Sequence, residues 1–188
     1  MSGRDKFWRY KKLISILVFV YGLIPKSFLK NLLIIHRNTS GHLGILIRYV
    51  LLKNLAKQVG DNVLISQNVY LFNVEKLVIG NNVSIHPLCY IECYGGVSIG
   101  DDVSIAHDVS IVSVNHGTQN NSEAIKYQPL IPCPILIGNN VWIGAKAVVL
   151  GNRTIADGSV VAASSVVTKD VNRNTIVAGN PAKIIKNR

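Results

Sequence analysis

The sequence predicts a mainly β protein in which short strands wind into a triangular parallel β-helix. Three observations carry this prediction: an aliphatic residue recurs every sixth position, a small or branched residue follows it four places later, and Gly, Asn or Asp mark many of the corners between. Neither an α-helix nor an alternating strand has a period of six, and a fixed period of this kind is typical of a solenoid. The fifteen hexads start at Val59, Ile65, Leu71, Ile79, Ile85, Ile91, Ile99, Ile105, Ile111, Ile137, Ile143, Val149, Ile155, Val161 and Val167.

Each hexad suits one short strand and one corner, so three hexads close one coil. Turn-forming residues follow the first aliphatic residue of a coil, as in residues 79–82 and 99–102, and these residue types tolerate the positive φ of a tight corner. A β-sandwich with regular turns is the alternative, but sandwich strands do not keep a six-residue phase over such a length. About five coils are predicted, and they begin at Val59, Ile79, Ile99, Ile137 and Ile155.

Residues 1–58 lack the six-residue period and are predicted to form a helical segment. Within it, residues 11–24 carry a basic flank and then an apolar run, which Pro25 ends. This run is shorter than the roughly 20 apolar residues that span a bilayer, and no small-residue cleavage site of a secretory signal follows it. For residues 7–24 two alternatives stay open: peripheral contact with a membrane, and packing on the prism or on a partner chain.

A further helix is predicted over residues 43–59. Its basic residues Arg48, Lys53 and Lys57 lie largely away from its apolar face. The pattern is that of an amphipathic helix, and we expect it to cap the lower end of the prism and to cover a sheet edge there. The apolar face consists of Leu43, Leu46, Ile47, Val50, Leu51 and Leu55.

The 188 residues include 20 Lys and Arg against 10 Asp and Glu, a formal net charge of +10. The basic residues cluster near the two ends of the chain and do not interleave with aromatic residues on one repeat face, so no nucleic-acid partner is predicted. A phosphate-bearing small ligand or an anionic membrane explains the charge equally well. Cys89, Cys93 and Cys133 form neither a CxxC pair nor an even disulfide set, and the cytoplasm is the predicted compartment.

One long interruption breaks the repeat between Ile111 and Ile137. We expect residues 117–136 to form an inserted loop, and long loops in a compact repeat fold are usually functional. Asn115 and His116 stand directly before it. A histidine at a corner, beside such a loop, is well placed to reach solvent and a bound substrate. His116 is therefore the first candidate for a catalytic residue.

Four segments together resemble the hexapeptide-repeat acyltransferases: residues 112–117, 134–145, 165–171 and 178–183. Within that family the similarity is to the maltose and galactoside O-acetyltransferases and their relatives in polysaccharide biosynthesis. Residues before the repeat resemble the leader of capsule and exopolysaccharide O-acetyltransferases only loosely. The resemblance implies a left-handed parallel β-helix and a homotrimer, with acyl-CoA bound along clefts between neighbouring prisms.

The resemblance also implies roles for individual residues. His116 corresponds to the general base that takes the proton of an acceptor hydroxyl, which suits an imidazole titrating near neutrality. The implied acyl-CoA contacts are Trp142, Gly144, Ala145, Ala163, Thr168, Lys169 and Lys183. The implied acceptor contacts are His86, Tyr94 and Asn115. His86 replaces an Asn of the sugar acetyltransferases and Tyr94 replaces an acidic residue, so maltose and galactosides are doubtful acceptors.

The predicted organisation is a helical segment at 1–58, a β-helix at 59–172 with its insertion, and a tail at 173–188 that contacts acyl-CoA. The resemblance implies an acetyl-CoA-dependent O-acetyltransferase that needs no metal. We expect it to modify a sugar hydroxyl during surface polysaccharide or glycan biosynthesis in a bacterial cytoplasm. If the N-terminal segment binds lipid, the enzyme works at the inner face of the membrane.

Three alternatives to this activity are open. N-acetylation of an amino sugar or a nucleotide amino sugar uses the same fold and cosubstrate, and an amine must also lose a proton. A zinc site like that of the γ-carbonic anhydrases would draw on His86, His107 and His116, although their spacing differs from that family's. A scaffold without catalysis would leave His116 and the insertion unexplained.

Overall fold

The computed structural model describes residues 3–188, although it describes only the backbone of Gly3, Arg4 and Lys6; Met1 and Ser2 of the predicted helical segment lie outside the described residues. Three α-helices open the chain: α1 (Gly3–Gly22), α2 (Lys26–Ile35) and α3 (Gly41–Leu55). Short 3-10 helices follow at His36–Asn38, Val74–Lys76 and Ile125–Tyr127. In the described part of the chain, no helix combines the length and apolar character needed to cross a membrane.

Nineteen short strands form the remainder of the described fold. They are β1 Gln58–Val59, β2 Leu64–Ile65, β3 Tyr70–Phe72, β4 Leu77–Ile79, β5 Ser84–Ile85, β6 Tyr90–Glu92, β7 Val97–Ile99, β8 Ser104–Ile105, β9 Ser110–Val112, β10 Val114–His116, β11 Leu130–Pro132, β12 Ile135–Ile137, β13 Trp142–Ile143, β14 Val148–Val149, β15 Arg153–Ile155, β16 Val160–Val161, β17 Val166–Val167, β18 Thr175–Ala178 and β19 Lys183–Asn187.

Within the first five coils, and apart from the third coil, which holds the insertion, 18 to 20 residues return the chain to the same face, and the strands stack into three parallel sheets. Face A has the order β1-β4-β7-β12-β15, face B the order β2-β5-β8-β13-β16-β18-β19, and face C the order β3-β6-β9-β14-β17. We name the corners between consecutive faces AB, BC and CA. The predicted fold, a left-handed parallel β-helix with an N-terminal helical segment, is confirmed.

The prism continues past the predicted boundary at residue 172. Val171 bridges Ile155 in parallel, and β18 pairs in parallel with β16, which adds part of a sixth coil to the five predicted ones. The antiparallel strand β19 then closes the top of face B. The tail is part of the prism because the upper edge of β16 would otherwise leave its backbone groups unpaired.

The repeat positions form the core as predicted. The first aliphatic residues of the middle coils, such as Ile79, Ile85 and Ile91, are 0% exposed. Such burial of aliphatic side chains contributes about 25 cal/mol per Å² of apolar surface removed from water, which is the main stabilising term of the fold. The second inward position is buried as well, at Val63, Val69, Val83, Cys89, Val103, Val109, Val141, Ala147 and Val171.

Corner AB repeats with little variation from coil to coil. Asn62, Asn82 and Asp102 occupy the same place in the first three coils, each with φ between +55° and +58°. The amide of Asn62 donates to the side chain of Asn82, and that of Asn82 to Asp102, both at 2.9 Å. Short polar side chains are the ones that tolerate this backbone conformation. Hydrogen bonds between polar side chains in successive coils therefore hold this corner together.

The helical layer covers the first coil, with α3 between the prism and both α1 and α2. Arg48 of α3 differs from the prediction: it is 2% exposed rather than lying away from the apolar face. Its guanidinium donates to the carbonyl oxygens of Ile65 at 2.9 Å, His36 at 2.9 Å and Thr39 at 2.7 Å. The charge is tolerated because it satisfies carbonyls at the end of a 3-10 helix and at the edge of face B.

Candidate active site at a corner of the prism

The interruption of the repeat is a β-hairpin that leaves the prism at corner CA; we call residues 113–134 the arm. Strand β10 pairs antiparallel with β11, and His116 lies opposite Leu130. The predicted inserted loop at 117–136 is therefore too long at its end, because Ile135 already belongs to β12 of face A. The two strands of the insertion hydrogen-bond to each other along Val114–His116 and Leu130–Pro132.

The tip of the arm is ordered by one buried polar side chain. Gln128 is 7% exposed, and its amide donates to the carbonyl oxygens of Asn120 at 2.8 Å and Glu123 at 3.0 Å. A single glutamine thus links both sides of the loop that joins β10 to β11. This residue was missed from the sequence because nothing in its surroundings marks it as buried.

His116 ends β10 and is exposed to solvent. Beside it, the N–H of Gly117 donates to the carbonyl oxygen of Pro129 at 2.9 Å, which holds the backbone in place. Among residues 3–188, no group forms a hydrogen bond with the imidazole ring. The position is fixed by the hairpin, while both ring nitrogens remain available to a ligand. Asn115, the neighbouring candidate, is exposed as well.

Tyr94 lies one coil below the arm at the same corner. Its carbonyl oxygen accepts a hydrogen bond from Lys76 at 2.7 Å, and the Lys76 ammonium lies 4.7 Å from the centre of its ring. The Glu92 carboxylate accepts from the N–H of Tyr94 at 3.1 Å and from Asn73 at 2.6 Å. These two hydrogen bonds show that Glu92 stabilises this corner and is not a free carboxylate.

The base of the arm rests on Gly95. The N–H of Gly95 donates to Ser113 Oγ at 3.0 Å, and the Ser113 hydroxyl donates to the carbonyl oxygen of Glu92 at 2.7 Å. A Cβ at Gly95 would overlap the backbone of Ser113 and Cys133. Glycine is therefore required here by close backbone contact, and Ser113, which is fully buried, anchors the arm to the coil below.

Corner BC carries a second group of the predicted residues. Gly144 and Ala145 lie at this corner, and Ala163 lies one coil above them. The N–H of Gly144 donates to the carbonyl oxygen of Val161 at 2.7 Å, so this amide is occupied within the prism. In the described part of the chain, no group accepts from the N–H of Ala145 or of Ala163. These two open donors stack at the strand spacing of about 4.8 Å.

Other predicted residues border the same two corners. Trp142 is 55% exposed on face B, and Lys183 begins β19 opposite Ala178, near the top of corner BC. Thr168 and Lys169 lie at corner CA in the fifth coil, where Lys169 is exposed and Thr168 half-buried. Most of the predicted site residues are exposed to solvent. The exceptions are the buried Gly144 and the half-buried Tyr94, Ala145 and Thr168.

Within one chain the two groups do not meet, because face C separates corner BC from corner CA. At about 3.3 Å per residue, the strands of face C hold the corners roughly 15 Å apart. His86 and His107 share corner BC, whereas His116 is at corner CA, so within one chain the three histidines do not converge on one ion. Among the described residues, no group of three His, Cys, Asp or Glu side chains is placed to hold a metal.

The buried thiols are not candidates for nucleophilic catalysis. Burial raises the pKa of Cys93 to about 12, with the Glu92 and Glu75 carboxylates adding to the effect. Burial also raises the pKa of Cys89 to about 11. Both thiols stay protonated near neutrality, and the thiolate is the reactive form. The exposed imidazole of His116 is the better candidate for proton transfer.

Comparison with known proteins agrees with this architecture. A family profile described as bacterial transferase hexapeptide (six repeats) matches residues 134–169. Galactoside O-acetyltransferase of Escherichia coli K12 is 36% identical over 140 residues, which are 74% of this chain and 68% of that protein. A putative lipopolysaccharide biosynthesis O-acetyl transferase of the same organism, WbbJ, is 38% identical over 114 residues, which are 56% of this chain and 58% of that protein.

A solved structure shows the same arrangement in three dimensions. Galactoside acetyltransferase in complex with coenzyme A superposes with a TM-score of 0.76 at 31% identity, over 86% of this chain and 80% of that chain. The matching region includes the helical segment in part as well as the repeat, since the repeat alone is shorter than the superposed length.

Proposed function

The chain belongs to the hexapeptide-repeat acetyltransferase family, and from this premise we propose that it transfers the acetyl group of acetyl-CoA to a hydroxyl of a sugar. One observation carries the proposal: an exposed imidazole, unpartnered within the described chain, sits at the corner from which the arm emerges. The similarity to a galactoside O-acetyltransferase, whose structure contains coenzyme A, supports the choice of both substrates.

The proposed reaction needs few protein groups because the thioester is already activated. His116 accepts the proton of the acceptor hydroxyl as its oxygen attacks the thioester carbonyl carbon. The open N–H of Ala145 stabilises the negative charge that develops on the carbonyl oxygen. The carbon–sulfur bond then breaks, the acetyl group stays on the acceptor, and His116 returns its proton to the thiolate of CoA. No metal is required for this sequence.

Of the two neighbouring residues Gly144 and Ala145, we propose Ala145 as the oxyanion donor. The Gly144 amide is already bonded to Val161, and a Cβ at Gly144 would come within 2.5 Å of the nitrogen of Ala163. We therefore assign Gly144 to close packing between coils. The remaining cofactor contacts of the proposal lie around the same cleft: Trp142, Ala163, Thr168, Lys169 and Lys183.

We propose a homotrimer because the two groups of site residues lie on opposite edges of face C. If face C of each prism turns toward a three-fold axis, corner CA of one chain meets corner BC of the next. Face C suits such burial, since Tyr70, Phe72 and Tyr90 are each about 40% exposed on it, and the ring centres of Phe72 and Tyr90 lie 5.2 Å apart with the planes tilted by 41°. Exposed aromatic residues of this kind are typical of interfaces.

Subunit complementation tests the shared site. His116→Ala disables corner CA, and Ala163→Trp blocks corner BC on an exposed position. Co-expression of the two inactive variants should restore a measurable fraction of activity, because some clefts then combine two unaltered corners. Separately expressed and mixed without exchange, the variants should stay inactive. A co-expressed pair that forms mixed trimers and shows no activity would overturn the shared-site proposal.

The acetyl transfer itself is tested by CoA-thiol release from acetyl-CoA with a panel of sugars, amino sugars and nucleotide sugars. Release with acceptors that carry only hydroxyls supports O-acetylation. Release only with amines would replace the proposal by N-acetylation. Binding of neither CoA nor acetyl-CoA, measured by calorimetry, would overturn the acetyltransferase proposal, whatever the acceptor.

We further propose that α1 lies on an anionic membrane surface, with the prism in the cytoplasm. The outward side of α1 is apolar over three turns and begins with Arg9 and Lys12, while Trp8 and Tyr10, each 51% exposed, suit the lipid–water boundary. This composition is typical of helices that lie in the membrane plane. The outward apolar residues are Leu13, Ile16, Phe19, Val20 and Leu23, which are 48–73% exposed.

Vesicle flotation tests the membrane contact. The native chain should float with vesicles that contain about one third anionic lipid, and Phe19→Asp should reduce the bound fraction severalfold because it places a charge at the apolar boundary. Ile184→Asp is the matched control, since Ile184 is 56% exposed at the opposite end of the prism. Equal flotation of both variants and the native chain would overturn the proposal.

A further inference from the structure

A groove of about 350 Å³ runs along face A beside corner CA, below the base of the arm. Gly95 and Gly96 line its middle, and Pro134 lines it at the foot of the arm. A Cβ on Gly96 would meet only the carbonyl oxygen of Lys76, at 3.9 Å, so the space above this residue is open. The groove exists because Gly95 and Gly96 give the second coil no side chains at corner CA.

The groove is positively charged. Lys57 lines it and has no hydrogen-bond or ion-pair partner among the described residues. Lys76 also lines it, and its bond to the carbonyl of Tyr94 at 2.7 Å holds the ammonium in place. The one acidic residue of the lining, Glu75, accepts a hydrogen bond from Lys30 at 3.3 Å. These four charged groups leave two positive charges in excess, which favours an anion.

We propose that this groove holds a phosphate or diphosphate group attached to the acceptor sugar, a proposal that rests on the proposed acetyl transfer. The carbonyl oxygen of Ser113 accepts from Cys133 at 2.9 Å at the base of the arm, and His116 is three residues farther out. At about 3.3 Å per residue, His116 lies roughly 10 Å from this base. A sugar ring joined to a phosphate spans a similar length, so one end can meet the imidazole while the other reaches the groove.

The groove is separate from the proposed contacts to CoA. Lys57, Lys76 and Gly96 belong to the helical layer and the first two coils, whereas Lys169 and Lys183 belong to the fifth coil and the closing strand. An ammonium forms ion-paired hydrogen bonds with phosphate oxygens, whereas a neutral sugar offers it hydroxyl oxygens without an opposite charge. The inference therefore narrows the acceptor to a phosphorylated sugar. A nucleotide-linked sugar and a lipid-linked sugar share this chemistry.

Binding of inorganic pyrophosphate tests the groove directly. Calorimetric titration is done in saturating CoA, so that the sites for CoA phosphates are already filled. Lys57→Ala, which touches no residue of the proposed catalytic machinery, should weaken binding about tenfold, and the double variant with Lys76→Ala roughly a hundredfold. Lys26→Ala is the matched control, an exposed lysine at the start of α2, and should bind as the native chain does. Equal affinity in the native chain and the double variant would overturn the inference.

Acetyl-transfer kinetics distinguish a nucleotide-linked from a lipid-linked acceptor. They also test the groove separately from the acetyl transfer. A hexose, its nucleotide-diphosphate form and a short lipid-diphosphate form are compared as acceptors. For the diphosphate form that is accepted, Lys57→Ala should raise KM about tenfold with kcat unchanged. The KM for the free hexose should be the same in the variant and the native chain. Transfer to the hexose with no preference for either diphosphate overturns the groove and leaves the acetyltransferase intact. Loss of pyrophosphate binding in the lysine variants, in a chain that neither binds CoA nor transfers acetyl, supports the anion groove and overturns the acetyltransferase.

Discussion

Corners AB and CA belong to the same coils but differ in every respect that matters to function. At corner AB the residues repeat, and stacked side chains such as Asn62, Asn82 and Asp102 satisfy one another. At corner CA the coils differ from each other: Asn73 turns the first, Gly96 the second, and the arm replaces the turn of the third. At corner AB the stacked side chains satisfy one another, whereas the interruption at corner CA places His116, which forms no hydrogen bond within the described chain, where a ligand can reach it.

The interruption has a structural cost that the arm itself offsets. Its strands pair with each other, Gln128 ties its tip, and Ser113 joins its base to the coil below. The result is a hairpin held at its tip and its base that presents His116 without a hydrogen-bond partner in the described part of the chain. Stability and chemistry are thus assigned to different corners, and the two can be changed separately by mutation.

The largest expected effect is on chemistry at corner CA. His116→Ala should lower kcat by about 10²–10⁴, or about 3–5 kcal/mol of transition-state stabilisation, because it removes the proposed base. Since no residue that the structure describes forms a hydrogen bond with the ring, the melting temperature should stay within about 1 °C of the native value. His42→Ala, an exposed histidine of α3, is the control for kcat. If His116→Ala retained full activity, His116 on the arm would not be the catalytic base.

The next largest effect is on stability at corner AB. A Cβ on Gly100 would meet backbone atoms of Gly138 in the coil above at 2.8 Å, so Gly100→Ala should cost about 3 kcal/mol in unfolding free energy. Gly22→Ala is the control, because its Cβ would meet only a side-chain atom, of Asn54, at 3.0 Å. Urea denaturation measures both. A variant as stable as the native chain would mean that the coils can separate at this corner.

A smaller effect should appear when the arm is loosened without removing His116. Gln128→Ala breaks the two bonds to Asn120 and Glu123 and should destabilise the tip by about 2 kcal/mol. We expect faster amide exchange at the tip and a fall in kcat of about tenfold, with an unchanged urea midpoint for the prism. Gln119→Ala, an exposed neighbour, should change neither. An unaltered kcat would show that the tip does not position the base.

The smallest effect is a pH dependence from the buried thiols. In the folded chain the pKa of Cys89 is raised to about 11 and that of Cys93 to about 12, chiefly by burial. Their contribution is complete below the unfolded pKa of about 8.5 and is lost as the pH rises toward the folded values. Between pH 8 and 9, stability should fall by about 1 kcal/mol, and the fall should shrink in Cys93→Ala. An equal fall in that variant would assign the effect to other groups.

Much of the prism was predictable because its interior is decided by local repetition. Ile79, Ile85 and Ile91 are one hexad apart, and a six-residue spacing that is kept over fifteen hexads is typical of a solenoid that turns at each hexad. The arm was only partly predictable. The break after Ile111 was visible, but the pairing of β10 with β11 depends on residues that carry no period.

The helical layer shows the same limit. Its apolar face was visible, yet Arg48 was expected away from that face and is buried. The reason is that its carbonyl partners, Ile65, His36 and Thr39, come together only after the helices have packed on the prism. The contact of Gly144 with the cosubstrate stays a prediction, but its amide donates to the carbonyl oxygen of Val161 in the coil above, a bond that the local sequence did not indicate.

The sequence by itself determined the solenoid, the place of its interruption and the candidacy of His116, since these follow from spacing along the chain. The tertiary structure alone decided which groups have no hydrogen-bond partner among the residues it describes: the imidazole of His116, the amides of Ala145 and Ala163, and the ammonium of Lys57. The physical reason is that a polar group is free only if no neighbour in space satisfies it. Those neighbours are a full coil away in sequence, where local pattern carries no information about them.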